Sequence, residues 1–524
     1  MKRIIVLIVV LLAAIVAMAY LYFADLNTEK RDNNGALYAA TADAAMVFSF
    51  QQDKSVVEIL KSSSLLKDVI GPEKTRQLRS LQGHLLSLPL PAQATNRQNI
   101  YISILPGAEK TVEFLYCTQW ATGTGQSQLM DALRSSGSKI TTRDSISELS
   151  LPDSSTFYFS FRNNLVMLAA SKEILGRSLA HGRQENNKFA EHIAATGRLQ
   201  KNSLAELYID FSRIPAFLKT FVAGNLGGEL AVFGHQQAYA TLVYNYSAEK
   251  ILFTGSLQVN TRDSYDRLFL KEAPGSMDIV NLLPEHTANY TAYRINRYAA
   301  WKKLLDQELR QDASFAKAAA LRRHIKDTYR IDPDQLFPKY FNGQLIRFQL
   351  STGEKLGAIN LSNGEKLEQL LLDLSSSYNE EIRIFKDGGL AEAYFGQAFK
   401  NFSRPYFTIK DNYMVFANNA STVQSFLNSY NANRLLINSP GYISTANQLP
   451  ATASVTSYID LRNSSSILLR NIYLPYFRHL NSADGLKEYS SVTCQLNSDQ
   501  DKFQVNLLLS KKPAVKTDTL LLQP

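Results

Sequence analysis

The sequence predicts an α+β protein. It is expected to be a tandem duplication of one domain with a largely antiparallel sheet and helices on one face, preceded by a single N-terminal transmembrane helix. Three observations predict this. An apolar run opens the chain, a hairpin-plus-helix pattern is written twice, and short alternating strands are joined by tight polar turns, which force antiparallel pairing. At 524 residues, 45% of them hydrophobic and 20% charged, the chain has apolar material for more than one core and is not a disordered composition.

After Met1, Lys2 and Arg3, the run Ile4 to Ala24 carries no charge. At 1.5 Å per helical residue such a run matches a hydrocarbon core of about 30 Å. The basic pair before it and Asp25 after it predict a cytoplasmic N-terminus. This gives a single-pass inner-membrane protein with its bulk in the periplasm. The alternative is secretion after signal-peptide cleavage near Ala19, because Ala17, Met18 and Ala19 have the small-x-small form a signal peptidase accepts. Residues Asp25 to Gly35 are rich in Asn, Asp, Glu, Lys and Arg and read as a solvated spacer.

The first hairpin runs from Phe157 to Ala170 and its second writing from Pro405 to Asn418, an offset of 248 (405 less 157). Each has alternating apolar residues, a polar turn, a second apolar strand and a following helix. Further along, Tyr208, Ile209 and Asp210 match Tyr458, Ile459 and Asp460 at an offset of 250. The turn at Glu109-Lys110 resembles that at Glu354-Lys355, and the strand around Phe253 answers the one around Phe503. In the same order and at nearly constant spacing, these matches predict a duplication. The expected layout is residues 1–24 as transmembrane anchor, 25–35 as polar spacer, 36–272 as the first repeat domain, 273–282 as a linker marked by Pro274, Gly275 and Ser276, 283–511 as the second repeat domain, and 512–524 as a flexible tail.

The formal charge of +9 comes from 56 basic and 47 acidic residues spread along the whole chain, so no nucleic-acid arm is present and no nucleic-acid partner is expected. Only Cys117 and Cys494 occur, at non-equivalent places in the two repeats, which provides neither a disulfide framework nor metal-ligand spacing. The seven histidines show no i, i+4 or H-x-H pairing, and no G-x-S-x-G, P-loop or H-E-x-x-H motif is found. No catalytic, cofactor or metal residue is therefore assigned.

Asp210 and Asp460 are the binding candidates, being repeat-equivalent and standing where a strand gives way to a helix; the favoured reading is still a cap or turn acceptor. Gly123, Thr124 and Gly125 read as a helix-start turn, not a phosphate cradle. The basic stretch Arg322 to Lys326 reads as a solvated helix face near a helix C-terminus. The 26 tyrosines and 27 phenylalanines, many at alternate strand positions, read first as sheet packing and second as an aromatic ligand platform.

With its anchor, its strand Ala44 to Phe50 just beyond a polar spacer, and its repeated strand–helix units, the chain resembles the exported, membrane-anchored domain-of-unknown-function proteins of Bacteroidota-type bacteria. The resemblance covers the whole chain and rests on layout. It implies a duplicated α+β ectodomain and carries no activity or site residues. The expected function is a non-enzymatic envelope scaffold or binding module, partnered by the membrane through its N-terminal helix and by an envelope protein, lipid or glycan. The alternative is an envelope enzyme or lipid- or glycan-binding carrier using a groove between the repeats.

Overall fold

The structure, a computed structural model, describes residues 35–513 except segments 52–67, 70–71, 85–98, 120–125, 182–186, 197–203, 224–236, 261–263 and 311–313 and the single positions 82, 144, 163, 246 and 248. It is α+β with a large antiparallel sheet. The chain divides into two compact units, residues 1–62 with 73–220 and residues 63–72 with 221–524.

In the first unit the strands are β1 (Met46–Gln51), β2 (Asn99–Pro106), β3 (Val112–Gln119), β4 (Lys139–Arg143), β5 (Ile146–Ser150), β6 (Thr156–Arg162), β7 (Leu165–Ala169) and β8 (Glu206–Asp210). They lie side by side, every neighbour antiparallel, in the order β8-β1-β2-β3-β7-β6-β5-β4. Alternation explains the strand faces: Phe157 and Phe159 on β6 are buried beside Leu149 and Leu168, under Leu129 and Leu133 of the helix Gln126–Ser135. The short helix Gly35–Thr41 carries Gly35, Ala36, Ala39, Ala40 and Thr41, small residues that let its backbone come close enough for the Ser103 hydroxyl to donate to the Ala40 carbonyl at 2.6 Å.

The second unit holds β9 (Ala238–Asn245), β10 (Lys250–Val259), β11 (Thr287–Arg294), β12 (Phe341–Leu350), β13 (Lys355–Leu361), β14 (Ser375–Ser377), β15 (Arg383–Phe385), β16 (Tyr406–Lys410), β17 (Tyr413–Ala417), β18 (Val455–Asp460), β19 (Tyr489–Asp499) and β20 (Lys502–Lys511). Their order is β9-β10-β20-β19-β18-β11-β12-β13-β17-β16-β15-β14, again antiparallel throughout. Its core gathers Tyr290, Ile346, Phe348, Val415, Phe426 and Tyr458, all nearly solvent-free.

The hairpin β9–β10, expected inside the first repeat domain, pairs through β10 with β20 in the second unit. Residues 273–282, expected as a linker, are built in as well. Ile279 and Leu282 of the 3-10 turn Asp278–Leu282 are fully buried, and Gly275 bridges Ala453. Proline and glycine stop regular structure there, but the apolar side chains that follow draw the segment into the core.

The expectation of a single-pass inner-membrane protein is corrected: among the described residues no helix is long and apolar enough to cross a membrane. The longest described helix, Ser314–Tyr329, has 16 residues and carries Lys317, Arg322, Arg323, Lys326 and Asp327. Its rise of about 24 Å falls short of a hydrocarbon core of about 30 Å. The Ile4 to Ala24 segment, the cleavage position at Ala19 and the Gly123 to Gly125 turn lie outside the described residues, as do residues 514–524 of the tail.

Candidate functional site

In the second unit β11, β18 and β19 are neighbours, and their register decides which side chains meet. Tyr458 stands opposite Tyr290 on one side and Thr493 on the other, while Thr456 stands between Ala292 and Gln495. Side chains two apart on a strand share a face, so these six line one patch of the sheet.

A cavity of about 260 Å³ opens on this patch, walled by Met277, Val280, Tyr442, Leu449 and Pro450. Tyr442 is held in place by the helix Pro440–Ala446, which opens with Pro440 in its first turn and Ser439 as N-cap, its hydroxyl accepting from the Tyr442 N–H. Thr445 of the same helix shares a hydrogen bond of 2.8 Å with Ser491 of β19, tying the helix to the sheet.

The tyrosines occupy one another. Tyr290 and Tyr458 stack at 5.3 Å, Tyr442 meets Tyr458 edge-on at 5.2 Å, and the Tyr290 and Tyr442 hydroxyls lie 3.0 Å apart. Burial raises all three phenols, Tyr290 and Tyr458 well above their ordinary range, with the nearby Asp460 carboxylate adding to the effect at Tyr458. They stay neutral, and their paired faces do not form an open cage.

The polar floor is different. The Gln495 amide donates from Nε2 to the Pro450 carbonyl at 3.1 Å, which fixes its orientation and leaves Oε1 facing no partner. The Thr456 and Thr493 hydroxyls are likewise unbonded, and the three residues are 7%, 6% and 2% exposed in the order Gln495, Thr456, Thr493. Buried polar atoms are almost always satisfied, so three orphans on residues that line one cavity are a concentration that needs a cause; each atom is itself covered, and a ligand reaches it where the lining side chains give way. No Lys, Arg or His lines the cavity, and its one carboxylate, Asp278, sits exposed at the rim.

Asp460 ends β18 two residues beyond Tyr458. Its Oδ1 accepts from the Asn463 N–H at 2.8 Å and its Oδ2 from the Tyr458 hydroxyl at 3.3 Å. Burial raises its carboxyl above the usual range, partly offset by those bonds. In the first unit Asp210 ends β8, accepts from the Ser212 N–H at 3.0 Å and the Ser212 hydroxyl at 2.6 Å, and pairs with Arg213 at 3.3 Å. Both carboxylates close the turn that follows their strand.

Elsewhere in the second unit an open groove of about 600 Å³ runs past Gln258, Arg267, Lys271, Glu308 and Asp501; Arg267, Lys271 and Asp501 are solvated. The basic stretch on the helix Ser314–Tyr329 is engaged in pairs, Arg322 with Asp334 at 3.7 Å and Lys326 with Asp332 at 3.1 Å. Cys117 and Cys494 are free thiols, both pushed up by burial, Cys494 to about 12. Among the described residues no group of His, Cys, Asp or Glu is arranged to hold a metal ion.

Thr456, Thr493, Gln495 and Tyr442 were not singled out by the sequence. The available signal was the polar alternation Ser491, Thr493, Gln495 along β19, which reads as a solvated face until its burial is known. No family model, curated protein or solved structure matches the chain.

Proposed function

We propose that the chain carries two diverged copies of one domain and acts as a non-enzymatic binding module whose ligand site is the cavity floored by Thr456, Thr493 and Gln495. Three observations support the duplication. The order β8-β1-β2-β3-β7-β6-β5-β4 recurs, element for element, as β18-β11-β12-β13-β17-β16-β15-β14. The hairpin β6–β7 pairs Tyr158 with Ala169 and β16–β17 pairs Tyr406 with Ala417, an offset of 248 on both strands. In the pairing of β10 with β20, Gly255 faces Val505, Phe253 faces Leu507 and Leu257 faces Phe503. Positions 250 apart thus exchange places about Gly255, the self-complementary register that two copies of one strand would adopt.

The binding role rests on the three unpartnered atoms. An orphaned buried hydroxyl or carbonyl costs roughly 1–3 kcal/mol, a cost that a ligand supplying the missing hydrogen bonds would remove. Acid–base catalysis is less well supported, because the neutral tyrosines and the solvated Asp278 offer no convergent pair of titrating groups.

The test is thermal unfolding of the chain against a library of small neutral molecules. At least one compound should raise the midpoint in the wild type and fail to do so in Gln495→Leu. A library without a single Gln495-dependent shift would remove the binding role.

A further inference from the structure

We infer that the cavity takes a neutral, hydroxyl-rich molecule of single-sugar-ring size, an inference that rests on the binding role proposed above. The reasoning begins with charge. An anion brought into this site would lose its hydration with no Lys, Arg or His among the lining residues to replace it, so phosphates and carboxylates are disfavoured. A quaternary ammonium needs open aromatic faces, and Tyr290 and Tyr458 are stacked on each other at 5.3 Å while Tyr442 packs edge-on at 5.2 Å. Its nitrogen also carries no hydrogen to donate to the Gln495 carbonyl oxygen.

The floor asks for hydrogen-bond partners of mixed kind. Gln495 Oε1 only accepts, whereas each threonine hydroxyl both donates and accepts. A ligand carrying adjacent hydroxyls supplies both roles at once. Across β18 and β19 Thr456 faces Gln495 directly and Thr493 lies one side-chain step along the same face. Directly opposed residues stand about 5 Å apart and diagonal ones about 7–8 Å, a spacing that suits hydroxyls around one ring. Met277, Val280, Leu449 and Pro450 supply apolar walls for its C–H faces, and about 260 Å³ holds one ring but not a chain of them.

Titration calorimetry of the full chain tests this, with glucose, galactose, mannose and myo-inositol as neutral probes, glucose 6-phosphate and glucuronate as anionic counterparts, and choline as the quaternary cation. The expected result is saturable binding of at least one neutral polyol, weakened tenfold or more by Thr493→Val and by Gln495→Leu, and changed less than threefold by Thr493→Ser, which keeps the hydroxyl. Thermal unfolding of each variant establishes that it is folded, and the serine variant preserves the test if a larger change disrupts the sheet. Tighter binding of an anionic probe than of its neutral counterpart, or binding of choline alone, overturns the ligand class. So does silence from every neutral polyol when the thermal-unfolding library gives Gln495-dependent shifts, and in that case the binding role survives. Silence in both assays overturns both.

Discussion

Thr493→Val replaces one hydroxyl by a methyl group of nearly the same shape, and it should make the protein more stable. Thr493 is 2% exposed, its Oγ1 has no hydrogen-bond partner, and it sits in mid-sheet between Tyr458 on β18 and Leu508 on β20. Burying a hydroxyl without a partner costs roughly 1–3 kcal/mol, and both residues are β-branched, so no difference in rotamer entropy opposes the change. A gain of about 1 kcal/mol follows, equivalent to a rise in midpoint of about 2 °C for a unit of this size. Trp301 is fully buried in the second unit and reports its unfolding by fluorescence in denaturant, with Trp120 changed to Phe to remove the second signal. The midpoint should move up at constant slope, while polyol binding is lost. A loss of stability of 1 kcal/mol or more would mean that the hydroxyl is held by ordered water which valine evicts, and the reasoning from orphaned atoms would fall.

Further outcomes follow from the same geometry. Burial raises the Asp460 carboxyl above its ordinary 3.8, so the folded chain holds this proton more tightly than the unfolded one. Its contribution to stability is complete below 3.8 and is lost as pH rises through the folded value; Asp460→Asn should flatten that fall in a pH series of denaturation midpoints. His286 behaves in the opposite sense. Burial lowers it below 6.5, so its contribution is present above 6.5 and lost as pH falls through the folded value, a loss that His286→Gln should abolish in the same series. A Cβ on Gly255 would lie 2.0 Å from the Thr241 carbonyl oxygen, so Gly255→Val should cost about 1–3 kcal/mol or more, read as a lowered thermal midpoint.

The parts of the fold that were legible are those set by neighbours in sequence. The hairpin at Phe157 and its second writing could be aligned because side-chain alternation and a polar turn fix register within a few residues, and the pairings Tyr158–Ala169 and Tyr406–Ala417 follow from that local rule. Residues 273–282 read as a linker because Pro274 and Gly275 dominate the local pattern; that Ile279 and Leu282 are buried depends on strands far away in sequence. The candidate site was hidden for the same reason. Whether Thr493 and Gln495 face water or a core depends on what covers β19, and the cover comes from the helix Pro440–Ala446 and its following loop.

The proposed duplication also explains why a costly arrangement sits in one copy. At the position 250 before Thr456 the first copy has Glu206, buried at 5% exposure, and it accepts the hydroxyl of Tyr208 two residues on. In the second copy the equivalent Tyr458 turns its hydroxyl to Asp460 instead, and Thr456 is left with no bond to make. Exchange of a long acceptor for a short hydroxyl removes a satisfied pair at this place. On the binding role proposed above, the first copy keeps the Glu206–Tyr208 pair at this place while the second presents hydroxyls for an incoming molecule to complete, the division of labour expected when stability and binding make opposite demands on one face.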